Sequence, residues 1–534
     1  MQLRPPHCHV IIDARTLPDG TSVESTVCIA GAGAAGLTLA YHLGRRKIPV
    51  CVVEAGDFSF DRATQKLACG DSSGLPYDPG STRFRFFGGS TNAWGALLRP
   101  ISAHCFRRRK WLGDAEWPFE RRVLDPYYEE AYAFLDVDTE HADGRSRRDE
   151  LERAAEDQIM FDDDRLETRI SPLARRGIFK DKTKPGLERD THSKLLLNAN
   201  VVEVETCPDS RQVGGLRLRT LCGTEVICRA KIFILCMGGL ENARLLLLSD
   251  RCNSRGLGNA HDLVGRYFMD HPRLFCGRLH PANGQHGLKF YDPTYRFKHM
   301  PSVASLSVSE HVQKREELLD GRFYFFPVFR GQDISSFDDL VWLKWKLRAT
   351  RSLDVTGADL AKILWRAPSL ALAAAGHLTR ADTLLKHYAI VHTLETAPSH
   401  DSRVTLGSRR DALGSRCVHV DWRLGSREKQ SIRHAHEVLT DVARKHRIGT
   451  IETVHDVLDA DPLPAKTSWH HMGTTRMHAD PREGVVDADC RLHESDNLYV
   501  AGSSVFPTGG DDVPTLTIVA LAIRLAEHIE SRLS

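Results

Sequence analysis

At 534 residues the chain is too long for one minimal domain, and roughly 100–200 residues per domain gives two to four units. With 41% hydrophobic and 27% charged residues, its composition is that of a soluble globular protein, which excludes disorder of the whole and any fibrous class. Lys+Arg 72 against Asp+Glu 70 leaves a formal net charge of +2, without the basic excess that nucleic-acid binding calls for.

Two local basic runs, Arg107–Lys110 and Arg145–Arg148, read as solvated faces. The 13 cysteines are an odd number, are scattered singly and form no C-x-x-C. That argues against a disulfide framework and against a zinc or iron–sulfur site, and most of the thiols read as reduced core residues. The first twenty residues carry Pro5, Pro6, Asp13 and Asp19 and no long apolar core, so no signal peptide is expected. The most apolar run, Leu370 to Ala375, is too short to span a bilayer. The resulting expectation is a reducing, cytoplasmic location.

Ser25 to Val53 reads as a β-α-β unit. Val27–Ala30 is an apolar run suited to a buried parallel strand. Gly31-Ala32-Gly33-Ala34-Ala35-Gly36 follows as a complete G-x-G-x-x-G, and Leu37, Ala40, Tyr41 and Leu43 have helical spacing behind it. Val50–Val53 is the next strand, closed by Glu54. Gly31 permits the tight turn, Gly33 lets backbone approach a pyrophosphate, and Gly36 lets helix lie close on strand. Glu54 stands where a carboxylate accepts hydrogen bonds from a ribose, which disfavours a 2′-phosphate. FAD and NAD both remain open from this unit alone.

Three later segments continue the same domain. Lys231–Cys236 is a buried-strand pattern, and a helix starts at Gly238-Gly239. Asn497–Ala501 is another strand, ending at Gly502. A last helix begins after Pro514 with Ile518, Leu521, Leu525 and Ile529 on one face. Between them, Cys276 to Asp459 has a different texture. It holds aromatic and β-branched runs at Phe323–Phe329 and Cys417–Trp422, and a helical stretch from about Leu340 to Lys386. The basic, amphipathic Trp342–Arg348 within it reads as core-facing rather than as a membrane-surface helix. The fold expected is α/β. Residues 1–275 and 460–534 form a discontinuous Rossmann-like nucleotide domain, interrupted by an α+β substrate domain at 276–459. Parts of 57–195 are left free to pack with the insertion.

Together these motifs resemble the glucose-methanol-choline (GMC) oxidoreductases. Gly31 to Gly36, Ala35 included, with Glu54 is similar to their FAD fingerprint. Gly88-Gly89-Ser90-Thr91-Asn92-Ala93-Trp94 resembles their second glycine segment, which passes the flavin. Asn198–Val204 resembles the strand whose backbone near Val202 holds the adenine. Tyr267–Pro272 is a further family-like stretch, and His470-His471-Met472-Gly473-Thr474 is the most specific, with Gly502, Thr515 and Leu516 beyond it. The resemblance is strongest to sugar-oxidising members such as pyranose oxidase and the FAD-dependent sugar dehydrogenases. It implies FAD as cofactor and a substrate with an oxidisable CH–OH.

Oxidising an alcohol needs a base for the hydroxyl proton and a hydride acceptor at the same carbon. The resemblance assigns the base to His470, with His471 as a neighbouring or alternative partner. Two positions depart from the family. Val513 stands where Asn or His usually completes the catalytic pair, and valine offers no hydrogen bond. Asp512, or Asp511, is then expected to reach the site and raise the histidine's pKa above about 6.5, the alternative being a solvated turn at these two acids. Ala93 stands where some relatives carry a histidine bonded to the flavin, so FAD is expected to be held non-covalently. The expected function is FAD-dependent oxidation of a sugar-like or polyhydroxylated substrate, with O₂, a quinone or a redox protein as electron acceptor. The alternative is a lyase of the same fold using the histidine for acid–base cleavage. No metal, nucleic-acid or integral-membrane partner is expected.

Overall fold

Val27 to Ala30 are wholly buried, as a strand covered on both faces requires. In the computed structural model they end a longer strand, Thr21–Ala30, followed by helix Ala34–Arg45 and strand Val50–Val53. The two strands run parallel, Val27 opposite Val50 and Ala30 opposite Val53. The structure describes residues 10–113, 115–138, 161, 163–206, 211–282, 287–293, 301–329, 361, 365, 368, 371, 375, 376 and 384–534. The predicted 340–386 helical stretch, with the 342–348 segment, lies almost wholly outside these residues, as does the 145–148 basic run. At its end, Leu385 and Lys386 belong to a strand instead.

This unit sits within an eight-stranded sheet. Its order is Ile11–Asp13, Lys194–Leu197, Val50–Val53, Thr21–Ala30, Glu225–Leu235, Val213–Arg219, Asn200–Thr206, with Leu498–Val500 also pairing with Glu225–Leu235. The centre is parallel, and the two strands between Asn200 and Arg219 attach antiparallel at one edge. The last helix, Thr515–Leu533, packs on Ala34–Arg45 and buries Leu516, Val519, Ile523 and Ile529. The strand Leu498–Val500 and this last helix thus join the same sheet and helix layer as the glycine-loop unit.

A second, antiparallel sheet is ordered Gly449–Thr453, Arg273–Pro281, Leu385–Leu394, Gly321–Phe329, Ser302–Val308, Leu166–Pro172. Helix Ser426–Lys445 packs with it through Ala435, Leu439 and Val442. One strand, Leu166–Pro172, comes from before residue 276. The hairpin Arg403–Arg410 and Arg416–Trp422 forms a third, small sheet with Gly70–Gly74. Most described cysteines are free, as expected, but at this sheet Cys69 and Cys417 are joined as a disulfide with Cα atoms 5.9 Å apart. They are far apart in sequence and become neighbours only when Gly70–Gly74 pairs alongside Arg416–Trp422, which no local spacing announces. Among the described residues, no helix is long and apolar enough to cross a membrane.

The tightest point is Gly36. A Cβ added there would lie 1.9 Å from the Gly31 carbonyl oxygen. Gly36→Ala must therefore push the helix off the strand. A loss of about 1–3 kcal/mol is expected from such overpacking, read as a lower thermal midpoint and weaker cofactor retention.

Candidate active site

One cavity of about 1210 Å³ opens where the parallel strands end. Gly31, Gly33, Ala35 and Glu54 line one part of it, and His470 and His471 another. Gly31 has φ +104° and sits so close to the Cys236 carbonyl that a Cβ would meet it at 2.7 Å, whereas a Cβ on Gly33 would meet only the Cys236 oxygen, at 4.0 Å. The second glycine segment docks on the first: Gly88 donates its N–H to the Ala32 carbonyl at 2.9 Å. Helices Ala34–Arg45 and Thr515–Leu533 both start at the cavity with no side-chain cap, so their first N–H groups are directed there. Glu54 is buried, and its carboxylate accepts the N–H groups of Ala32 at 3.0 Å and Gly56 at 3.2 Å. Each of its oxygens keeps a lone pair for a further donor.

Of the other residues singled out in sequence, Gly89, Ser90, Ala93, Gly502 and Thr515 line the cavity. Gly36, Gly88, Asn92, Val202 and Leu516 do not. Asn92 is a strut, donating to the Phe87 and Gly89 carbonyls and accepting from Lys180. Val202 has no partner in the pairing of its strand, where the register shifts, and Ala199 and Val201 line the cavity instead. Leu516 is fully buried in the main core, because the helix that offers Thr515 to the cavity turns its next side chain inward.

His470 is held by Asp270. This fully buried carboxylate accepts the backbone N–H groups of His271, Ser468, Trp469 and His470 and the hydroxyls of Tyr77 and Thr467. Between them Trp469 is forced to φ +65°, a conformation unfavourable for a bulky residue. The His470 Nδ1 lies 2.8 Å from the Nδ1 of His271, whose Nε2 is 2.7 Å from the Gly510 carbonyl. Asp270 and His271 fall in the family-like stretch noted in sequence, but nothing local there revealed their contact with the His470 turn. His471 also lines the cavity. Its Nε2 has no partner, its ring packs near those of Tyr77 and Phe268, and Gly239 leaves room for its Cβ. Burial drives His471 down to about 3 and His470 well below the ordinary histidine value.

Asp512 does not occupy the place expected of it. Asp511 and Asp512 are fully buried, outside the cavity lining, among arginines. Arg169 donates to Asp511 at 2.9 Å and Arg99 to Asp512 at 3.2 Å, with Arg322 near both. Neither the expected contact with His470 nor a solvated turn is found. Only the apolar Val513 of this turn, with Pro514 and Thr515, reaches the cavity. The acids point the other way because Arg99, Arg169 and Arg322 supply the partners that buried carboxylates require. The expected upward shift of the histidine is therefore reversed.

A glycine-loop dinucleotide fold whose cavity also holds a neutral histidine belongs to the class of nucleotide-cofactor oxidoreductases. Residues 26–171 match the FAD dependent oxidoreductase family and residues 398–522 match GMC oxidoreductase. The likeness to GMC oxidoreductases is thus carried by the later matched segment, and the cofactor of the earlier one is FAD. The chain is 27% identical over 304 residues to the fructose dehydrogenase large subunit of Gluconobacter japonicus, covering 56% of this chain and 47% of that protein. It is 25% identical over 345 residues to 2-methyl-1,2-propanediol dehydrogenase of Mycolicibacterium austroafricanum, covering 64% of this chain and 55% of that protein. The chain thus spans about half the length of these relatives. In fold it is similar to pyridoxine 4-oxidase from Mesorbium loti, with TM-score 0.60 and 17% identity, over 95% of this chain and 99% of that one. The residues present fit FAD: the cavity is bare of Cβ atoms at Gly31 and Gly33, and Glu54 is placed at its wall.

The depressed histidines set the pH response. His470, His471 and His271 are neutral in the folded protein and gain protons near 6.5 once unfolded. Their folded values lie below the unfolded one, so stability falls as pH drops below about 6.5, by up to about 1.4 kcal/mol per pH unit per histidine. Flavin reduction by substrate should run level through pH 6.5 and lose rate only at lower pH. A half-maximal rate at pH 7 or above contradicts this.

Proposed function

We propose that the protein oxidises a CH–OH group of a small, sugar-like or polyhydroxylated molecule, with His470 removing the hydroxyl proton. The observation that carries this reading is that a neutral histidine, fixed by Asp270 and His271, lines the same cavity as the glycine loops and Glu54. Bound FAD supplies the hydride acceptor. Gly31, Gly33 and the start of helix Ala34–Arg45 would hold its pyrophosphate, and Glu54 would accept from its ribose. Ala93 offers no atom for a bond to the flavin, so the cofactor is held non-covalently.

The inserted region supplies the substrate wall. Arg322, Tyr324 and Phe326 alternate along one strand face, beside Val391, Thr393 and Arg273 from neighbouring strands. Such a mixture of donors and rings suits a molecule with several hydroxyls. Residues 1–275 and 460–534 then act as the FAD-binding part and 276–459 as the substrate part, with Leu166–Pro172 joining the latter. His471 serves as the second polar contact that Val513 does not provide. The relatives named above are dehydrogenases of a sugar and of a diol, which supports redox chemistry over the lyase alternative. The electron acceptor is O₂, a quinone or a redox protein. A cytoplasmic location rests on the free thiols, exposed Cys222 and Cys252 among them, against the one disulfide among the described residues.

His470→Ala should keep FAD and slow anaerobic flavin reduction by roughly 10²–10⁴, the worth of a positioned base. Bleaching at the parent rate removes His470 from the chemistry. Acid precipitation should leave the yellow colour in the supernatant. Colour that stays with the protein through denaturing electrophoresis contradicts non-covalent binding.

A further inference from the structure

The contacts of His271 fix more than the position of His470. A carbonyl oxygen only accepts, so the 2.7 Å contact to Gly510 requires a proton on the His271 Nε2. His271 is fully buried, and burial lowers it to about 3, so it carries no second proton. Its Nδ1 is therefore a bare acceptor. The Nδ1 of His470 stands 2.8 Å away, with the two rings nearly perpendicular at 84°, and must donate. A neutral imidazole with its proton on Nδ1 has a bare Nε2.

We propose that His271 is a positioning residue that sets the tautomer of His470, holding its Nε2 unprotonated toward the substrate. This rests on the reading of His470 as the base. The hydroxyl proton moves to Nε2 while the Nδ1 proton stays in its bond to His271. The resulting imidazolium keeps a partner on its inner side throughout. In the opposite tautomer Nε2 is already protonated and cannot take the proton.

The setting residue is itself set. Gly510 donates its N–H to Glu395 at 3.2 Å, and Arg109 donates two N–H groups to that same buried carboxylate. Gly509 leaves the approach open, since a Cβ there would meet the Met472 thioether at 2.9 Å and the His271 Nε2 at 3.5 Å. The Gly510 carbonyl is thereby pinned on His271 from a group that touches neither histidine.

The test is ¹⁵N NMR of histidine-labelled holoenzyme, with ring signals assigned by their loss in His470→Ala and His271→Leu. The expected parent spectrum has His470 protonated at Nδ1 and bare at Nε2, and His271 the reverse. In His271→Leu, His470 should move its proton to Nε2. Flavin reduction by the most reactive of D-fructose, D-glucose, D-gluconate and 1,2-propanediol should then fall about 10- to 100-fold, as for loss of a group that orients a reactive imidazole. His271→Gln, whose amide can donate to Gly510 and accept from His470, should recover most of that rate. A parent His470 protonated at Nε2, or His271→Leu at the parent rate, overturns the proposal. If His271→Leu loses its flavin, the parent spectrum decides alone. Failure of the base itself shows separately, as His470→Ala reducing flavin at the parent rate.

Discussion

Burying a carboxylate costs several kcal/mol unless hydrogen bonds replace the water it loses. Asp270 meets this with backbone N–H groups from His271 and from 468–470 and with two hydroxyls. The requirement works in both directions. The carboxylate is tolerated because the turn folds over it, and the turn keeps its positive φ at Trp469 because the carboxylate gathers its N–H groups. The location of His470 follows, and with it the chemistry. The strand Arg273–Pro281 and the tight stretch ahead of it are thus tied to a loop almost two hundred residues later.

The His470 ring meets another buried imidazole, that of His271, rather than an acid. A carboxylate in that place would hold the histidine charged. The protein instead keeps Asp511, Asp512 and Glu395 behind, paired with Arg169, Arg99 and Arg109, and the His271 ring meets a backbone carbonyl on its far side. Orientation is delivered without raising the proton affinity of the base. The valine that breaks the family's usual pair fits this arrangement, since the turn that carries it is anchored from behind.

The glycine loop, its acid and the closing strand and helix were legible in sequence because each depends on neighbours a few residues away. Gly31, Gly33 and Gly36 have backbone duties that no other residue performs, and Glu54 follows its strand at once. What could not be read was long-range pairing. Asp511 and Asp512 look like a solvated turn until Arg99, Arg169 and Arg322 are brought to them from three other strands and loops. The Cys69–Cys417 bond depends on the same kind of meeting. Asp270 and His271 were visible as a stretch but not as a mechanism, because their partners lie in the 467–470 turn and at Gly510. The side chain of Leu516, one position after Thr515, turns into the core because a helix moves each successive residue to a new face.

The first helix ends at Arg45, and the helix that covers it begins at Thr515. On the ribosome the glycine loop therefore emerges more than four hundred residues before its sheet gains Leu498–Val500 and its helix is covered by Thr515–Leu533. The inserted antiparallel sheet can close first, since its last strand is finished at Thr453. Contacts of such sequence separation form slowly, and the apolar faces of Ala34–Arg45 and Glu225–Leu235 stay exposed meanwhile. The glycine-loop helix Ala34–Arg45 is thus made long before Thr515–Leu533, the helix that packs on it.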